Sequence, residues 1–224
     1  MFTDQTGKFP HTSSRGNNYQ MFVHDIDGNF TLVEPMNNRT EVEMILARKR
    51  ALQRMKIQGI APKHQVLDNE IYSAYKPDIL STDMTYQLVP PNDHHINIAE
   101  KAIQTWKDDF VGVLSGTAVT FPIHLWCQSI PQTEQHVFLL RKSNVNPKFY
   151  TYAHVYGPHS HDTDPFVPIG TESLVHDNPL RRKTFSEHFQ KGFVLGMSFE
   201  YYRAWIMWMK ASRTTRVSDT VFHK

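Results

Sequence analysis

Val66-Leu67-Asp68-Asn69-Glu70, read with the residues that follow it as far as Lys107, is the stretch on which the fold turns. His64 to Leu67 has the composition of a short buried strand that ends at the acidic Asp68, and the segment Glu70 to Leu80 is helical in character, with Pro77 expected to end or kink the helix. Tyr86-Gln-Leu-Val89 reads as a second strand, running into Pro90-Pro91 and the polar loop Asn92-Asp-His-His95. Asn97 then caps a helix that presents Glu100 three positions later. Along that helix Ile103, Trp106, Phe110 and Val113 fall on one face as a core stripe, while Glu100, Gln104 and Lys107 share another. A carboxylate, an amide and an ammonium on one polar stripe suit a phosphate-bearing ligand. Thr3-Asp4-Gln5-Thr6-Gly7 supplies a further acid near the start of the chain. Three acids on two strands and a helix are what a two-metal phosphoryl-transfer site requires.

Working outward, residues 1–9 and Asn17 to Asp25 read as strands. The Asp27-Gly28 turn signal returns the chain through Phe30 to Met36 as a hairpin, so three consecutive antiparallel strands open the fold. Thr40-Glu-Val-Glu43 is a capping box. Val42, Ile45, Leu46, Leu52 and Met55 recur at helical spacing until Gly59 closes the helix. The remaining faces of that helix carry Arg48, Lys49, Arg50, Arg54 and Lys56, read as a solvated basic face, with direct DNA contact as the alternative.

From Phe121 to Lys142 the pattern is again helical. Pro131 either starts a fresh helix or kinks a longer one. Residues 144–165 and a little beyond hold Pro147, Pro158, Pro165 and Pro168 and no long periodicity, and read as a connector. Ser173–His176, Gly192–Leu195, Arg203–Met209 and Thr214–Phe222 then read as short strands of a small antiparallel barrel. The expected organisation is an α/β domain over residues 1–143, a connector over 144–165 and a β-rich module over 166–224.

At 224 residues and 40% hydrophobic content the chain can bury a substantial core. No run reaches the length of a membrane span and the first residues lack a signal-peptide pattern, which implies an intracellular chain. The lone Cys127 excludes an internal disulfide and sits in an apolar context. A net charge of +2 gives no general affinity for nucleic acid, so any such affinity must come from how charge is distributed. His159-Ser-His161-Asp162 with Asp164 offers zinc-ligand types without a second spaced pair, and reads as a polar loop. His94 and His95 read as a loop close to the acids, and Asp25 and Glu70 as further acids near strand ends, with Glu70 a possible substitute ligand. There is no P-loop, dinucleotide glycine pattern or Gly-x-Ser-x-Gly.

With these motifs in view, the chain resembles the catalytic core of retroelement integrases, closest to those of copia-type retrotransposons. The element order strand, strand, strand, helix, strand, helix, strand, helix is that of the ribonuclease H-like fold. The resemblance implies a mixed five-stranded sheet flanked by helices, followed by a small, SH3-like barrel for DNA or a partner subunit. It further implies that Asp4, Asp68 and Glu100 bind two Mg²⁺ or Mn²⁺ ions for DNA 3′-end processing and strand transfer. Lys107, with Lys101, Arg213 and Arg216, is implied to contact DNA, in a homo-oligomer working in the nucleus. A remnant that binds nucleic acid or oligomerises without chemistry is the alternative. The chain departs from the family in lacking the paired His and Cys of an N-terminal zinc domain and in carrying Gln104 where relatives have a basic residue. Because only three residues precede Asp4, its strand is expected to fray and Asp4 to be the least well held of the three acids.

Overall fold

The computed structural model describes residues 1–67, 74–90, 98–163, 165–177, 182 and 184–223, with only the backbone of residues 98 and 99. Two compact units are present: Met1–Asp109 with Glu134–Pro158, and Phe110–Thr133 with His159–Lys224.

The first unit is built on strands β1 (Phe2–Gln5), β2 (Tyr19–Asp25), β3 (Phe30–Met36), β4 (His64–Leu67) and β5 (Thr85–Leu88). They form one sheet in the order β3-β2-β1-β4-β5. The β1–β2 and β2–β3 pairs are antiparallel, whereas β1–β4 and β4–β5 are parallel. Parallel neighbours require a crossover, and helices α1 (Glu41–Ile57) and α2 (Tyr75–Leu80) lie in the two crossing segments. Helix α3 (Ile98–Ser115) follows β5. The hairpin joining β2 and β3 is closed by Asp25, whose Oδ2 accepts the Gly28 N–H at 2.7 Å, and the left-handed residue is Asn29 rather than the glycine. Pro35 stands within β3, an end strand of the sheet, where a missing N–H costs no ladder bond.

The expected fraying of the first strand is not what the structure has. β1 lies in the middle of the sheet, paired on both sides, and the Met1 carbonyl accepts the Val66 N–H at 2.9 Å. Central ladder bonds hold Asp4's strand although it is short.

Helix α1 turns a different face inward from the one its apolar residues suggest. Met44, Ala47, Arg48, Ala51 and Met55 are buried, whereas Val42 is 68% and Leu46 46% exposed. The basic side chains form no simple solvated face. Arg48 is fully buried, and Arg54 bonds both Glu34 and Glu134. The capping box is absent too: the Thr40 hydroxyl donates to Asn38 Oδ1 at 2.6 Å and makes no cap bond. Gly59, at φ +74°, does close the helix, with the Ile60 N–H reaching back to the Met55 carbonyl at 2.9 Å. In α2, Pro77 is the third residue of the helix and does not end it, because the first-turn N–H groups have no helical partner anyway.

Helix α4 (Trp126–Leu140) is continuous through Pro131, after a 3-10 turn at Ile123–Leu125. Its Glu134 is buried in the first unit, where Oε1 accepts the Val33 N–H of end strand β3 at 2.6 Å and its carboxylate bonds Arg54. Burial alone would lower the Arg54 pKa, but Glu134 and Glu34 outweigh it and hold the guanidinium firmly charged. The expected connector contains helix α5 (Thr151–Tyr156) and a bridge between Lys142 and Tyr150. Six residues are too few to show periodicity, yet Thr151 and Val155 are buried and Tyr156 stacks on Phe138 at 6.2 Å.

In the second unit β6 (Glu172–His176), β7 (Phe189–Met197), β8 (Trp205–Met209), β9 (Thr215–Ser218) and β10 (Val221–His223) form an antiparallel sheet in the order β10-β6-β7-β8-β9. The four strands read from the sequence are present. The last of them divides into β9 and β10. Val175, Val194, Met207 and Met209 form one core cluster, and Phe121, Leu125, Ile169, Phe193 and Leu195 another. Cys127 is buried, as its context implies. His159 and His161 pack edge to face at 4.6 Å beside Phe166, and no group of three or more potential metal ligands occurs among the described residues. Among those residues no helix is long and apolar enough to cross a membrane.

Burial pushes the His24 imidazole down to about 4, with the Arg141 guanidinium adding to the effect; Nδ1 lies 3.0 Å from the Thr31 hydroxyl. The folded state therefore favours neutral histidine, and this contribution is present above pH 6.5 and lost as pH falls towards 4. The loss should reach about 3 kcal/mol. Urea unfolding of wild type and His24→Asn at neutral pH and near the lower limit checks this. The wild type should lose more stability than the variant by that amount, and parallel losses would contradict the assignment.

Candidate nucleic-acid processing site

The geometry of the site follows from strand register. Asp4 is half-buried on β1, and its Oδ1 accepts the Gln5 N–H at 2.7 Å. Its register partner on β2 is Phe22. Directly opposed residues of an antiparallel pair share a sheet face, so Asp4 points to the face that carries Phe22. The Phe22 ring meets Trp106 of α3 edge to face, with centroids 5.4 Å apart. Asp4 and α3 are thus on the same side of the sheet.

Glu100 is exposed in the first turn of α3, six residues before Trp106. Lys101, Gln104 and Lys107 are exposed on the same helix, while Ala102, Ile103, Trp106 and Phe110 are buried. The polar and core faces read from the sequence are both there. Asp68, Glu70, His94 and His95 lie outside the described residues. What is described is that β4 ends at Leu67, the residue before Asp68, and that Leu67 is the register partner of Thr3, the residue before Asp4. Asp25 is accounted for by the hairpin and contributes nothing here.

In the second unit the two arginines differ. Arg213 is exposed, at φ +55°, in the turn before β9. Arg216 is engaged within the fold: Nη1 donates to Asp177 Oδ1 at 2.7 Å and Nη2 to the His176 carbonyl at 3.0 Å. That guanidinium holds the Asp177 carboxyl below the ordinary carboxylate range.

Asp4 and Glu100 offer carboxylate oxygens, the donor type that a hard divalent cation takes. This donor chemistry fits Mg²⁺ or Mn²⁺ and no soft metal. The sequence reading missed that Thr3, Gln65 and Arg48 form a buried hydrogen-bonded line on the face of the sheet opposite Asp4. A signal was present. Arg48 falls at helical spacing among Met44, Ala47, Ala51 and Met55, a face of small and flexible apolar residues that can enclose a long side chain.

The sequence matches no protein-family model and no curated protein. Solved structures do match. A chain of the simian T-cell lymphotropic virus intasome in complex with PP2A regulatory subunit B56 gamma aligns with a TM-score of 0.54 at 12% identity, covering 99% of this chain and 77% of that one. The catalytic core domain of BIV integrase aligns at 0.50 and 11%, covering 69% of this chain and 91% of that one. The fold is integrase-like. At these identities the likeness is one of architecture alone.

The two arginines should respond differently to truncation. Arg216→Ala should lower stability by about 1 kcal/mol, the scale of a partly exposed pair. Arg213→Ala should leave the denaturation midpoint unchanged and, if that surface meets nucleic acid, reduce the salt dependence of binding. A stable Arg216→Ala variant would show that its bonds to Asp177 and His176 contribute nothing.

Proposed function

We propose that the chain is a polynucleotidyl transferase of the retroelement integrase type, acting on DNA 3′ ends by 3′-end processing and strand transfer. The observation that carries the reading is the register of the central parallel pair. Thr3 and Leu67 are partners, so the residues preceding both candidate aspartates in sequence are neighbours, and Asp4 lies on the face occupied by α3. The reading requires Asp68 to present its carboxylate on that face, as strand alternation after Leu67 would have it.

In this reading Asp4, Asp68 and Glu100 hold two divalent ions. When bound, such ions supply activation of a water or a DNA 3′-hydroxyl and stabilise the leaving oxygen. The protein's own part is to fix the carboxylates on rigid elements and to orient the phosphate backbone through Lys101 and Lys107, which extend from the exposed stripe of α3. No side chain acts as a covalent nucleophile. The similarity to an intasome chain supports DNA as the partner and an oligomer as the working state; a homo-oligomer acting in the nucleus is part of the same reading and rests on the family resemblance. The finer placement among copia-type elements rests on the sequence motifs around Asp4 and Glu100.

The second sheet is read as a small barrel. Two observations support that reading: its end strands β9 and β10 are joined by only Asp219 and Thr220, and Arg216 on β9 bonds Asp177 and the His176 carbonyl at the end of β6. A catalytically silent remnant that only binds nucleic acid or oligomerises is the second reading, and the same experiment separates the two.

Short DNA duplexes incubated with Mn²⁺ should be nicked or joined by the wild type. Asp4→Asn, Asp68→Asn and Glu100→Gln should each abolish the reaction while changing stability by no more than about 0.5 kcal/mol, because each removes ionised oxygen and little volume. Activity retained by Asp68→Asn would shift the ligand role to Glu70. An inert wild type that still binds DNA would establish the silent reading. Binding itself should tolerate sequence changes and weaken steeply with salt.

A further inference from the structure

The parallel contact between β1 and β4 is the shortest join in its sheet, and it is the one on which Asp4 depends. Two register pairs, Phe2 with Val66 and Thr3 with Leu67, make up that ladder, whereas β1–β2 and β4–β5 have four each. So short a ladder specifies register weakly. With β1 held by its four pairs to β2, a slip of one residue at this join would turn the side chains of β4 to the opposite face relative to Asp4.

Across this join runs a line of buried polar groups. Gln65 Nε2 donates to the Thr3 hydroxyl oxygen at 2.8 Å, and Gln65 Oε1 accepts from Arg48 Nε at 2.8 Å. Arg48 is fully buried, as is Gln65, and Thr3 is nearly so. The guanidinium is held from its far side: Nη1 donates to Asp78 Oδ2 at 2.8 Å and Nη2 to the Thr82 hydroxyl at 2.9 Å. Asp78 also takes Lys49 Nζ at 2.8 Å. Four elements, α1, α2, β1 and β4, together with the turn at Thr82, are therefore tied by one cation. A buried ion pair is weak evidence for stability, since apolar groups of similar volume often serve as well, and its best-attested use is to specify register.

We infer that Arg48, acting through Gln65 and the Thr3 hydroxyl, is a positioning residue that fixes the register of β1 on β4 and so the placement of Asp4 relative to the end of β4. The inference rests on the reading of Asp4 as a metal ligand. The Thr3 side chain lies on the face opposite Asp4 and touches no ion or substrate in that reading, so its effect is transmitted through the strand.

The test uses Thr3→Val, which keeps the shape and removes the hydroxyl, Thr3→Ser, which keeps the hydroxyl, and Arg48→Met. Two amides report the two sides of β4: Val66 N–H, bonded to the Met1 carbonyl, and Val89 N–H, bonded to the Leu67 carbonyl. In Thr3→Val, hydrogen exchange at Val66 should accelerate about tenfold more than at Val89, because the opening is local to the β1–β4 join. Mn²⁺ affinity, measured by calorimetry without DNA, should fall by up to about tenfold, the lower end of what losing a group that directly orients a ligand costs, because Thr3 acts only through the strand. Arg48→Met should behave alike if it folds, and Thr3→Ser should match the wild type. Parallel acceleration at Val66 and Val89, or unchanged exchange in Thr3→Val, would overturn the inference. Selective acceleration at Val66 in a protein whose wild type binds no Mn²⁺ would uphold the register role and overturn the metal-site reading instead.

Discussion

The pairing of β1 with β4 is the constraint on which the first unit depends. β1 joins an antiparallel hairpin on one side to two parallel strands on the other, so both halves of the sheet meet through it. A parallel neighbour cannot be reached by a tight turn, and the chain between β3 and β4 spends α1 on the crossing. The same crossing brings Arg48 under the sheet. Covering one face with α1 and placing α3 against Phe22 on the other leaves Asp4 on the α3 side of the sheet, and Glu100 stands exposed in the first turn of that helix.

Charge inside the unit is arranged in two closed groups. Arg48 is balanced by Asp78, and Arg54 by Glu34 and Glu134. Glu134 also satisfies the Val33 N–H, a donor on an end strand that has no strand neighbour beyond it. Such groups cost desolvation roughly in proportion to what their attraction returns, while removing one partner alone leaves a buried charge uncompensated, at about 3–5 kcal/mol. They join α1 to α2, to β3 and to α4. The α3 stripe is different: Glu100, Lys101 and Lys107 remain at the surface, where a phosphate backbone can reach them.

Much of this was legible where one periodicity dominated. The hairpin of β2 and β3, strand β4 and the two faces of α3 follow from alternation and from the spacing of Ile103, Trp106 and Phe110. The reading failed where two patterns competed. In α1, Val42 and Leu46 mark a stripe by hydrophobicity, but Met44, Ala47 and Ala51 mark another by size, and close approach to the sheet selects the smaller residues. Arg48 and Arg54 read as surface because a lone residue does not disclose its partner: Asp78 is thirty positions away and Glu134 eighty. Proline misled at Pro77, tolerated in a first turn, and left open at Pro131 what the continuous α4 resolves. Of the candidate site, the residue types and the elements bearing Asp4 and Glu100 were readable. For the Thr3–Gln65–Arg48 line, which joins β1 to β4, the spacing of Arg48 among small and flexible apolar residues was readable and its partners were not.

The central proposal is that Asp4 on β1 and Asp68, the residue that follows β4 in sequence, share a divalent ion on the α3 face of the sheet. Anomalous diffraction from crystals grown with Mn²⁺ tests it most directly. The account predicts an anomalous peak about 2.1 Å from a carboxylate oxygen of each aspartate, the distance of a small hard cation from its oxygen ligands. An Asp68 carboxylate on the opposite face of the sheet, or Mn²⁺ bound elsewhere with Asp4 and Asp68 unliganded, would contradict it.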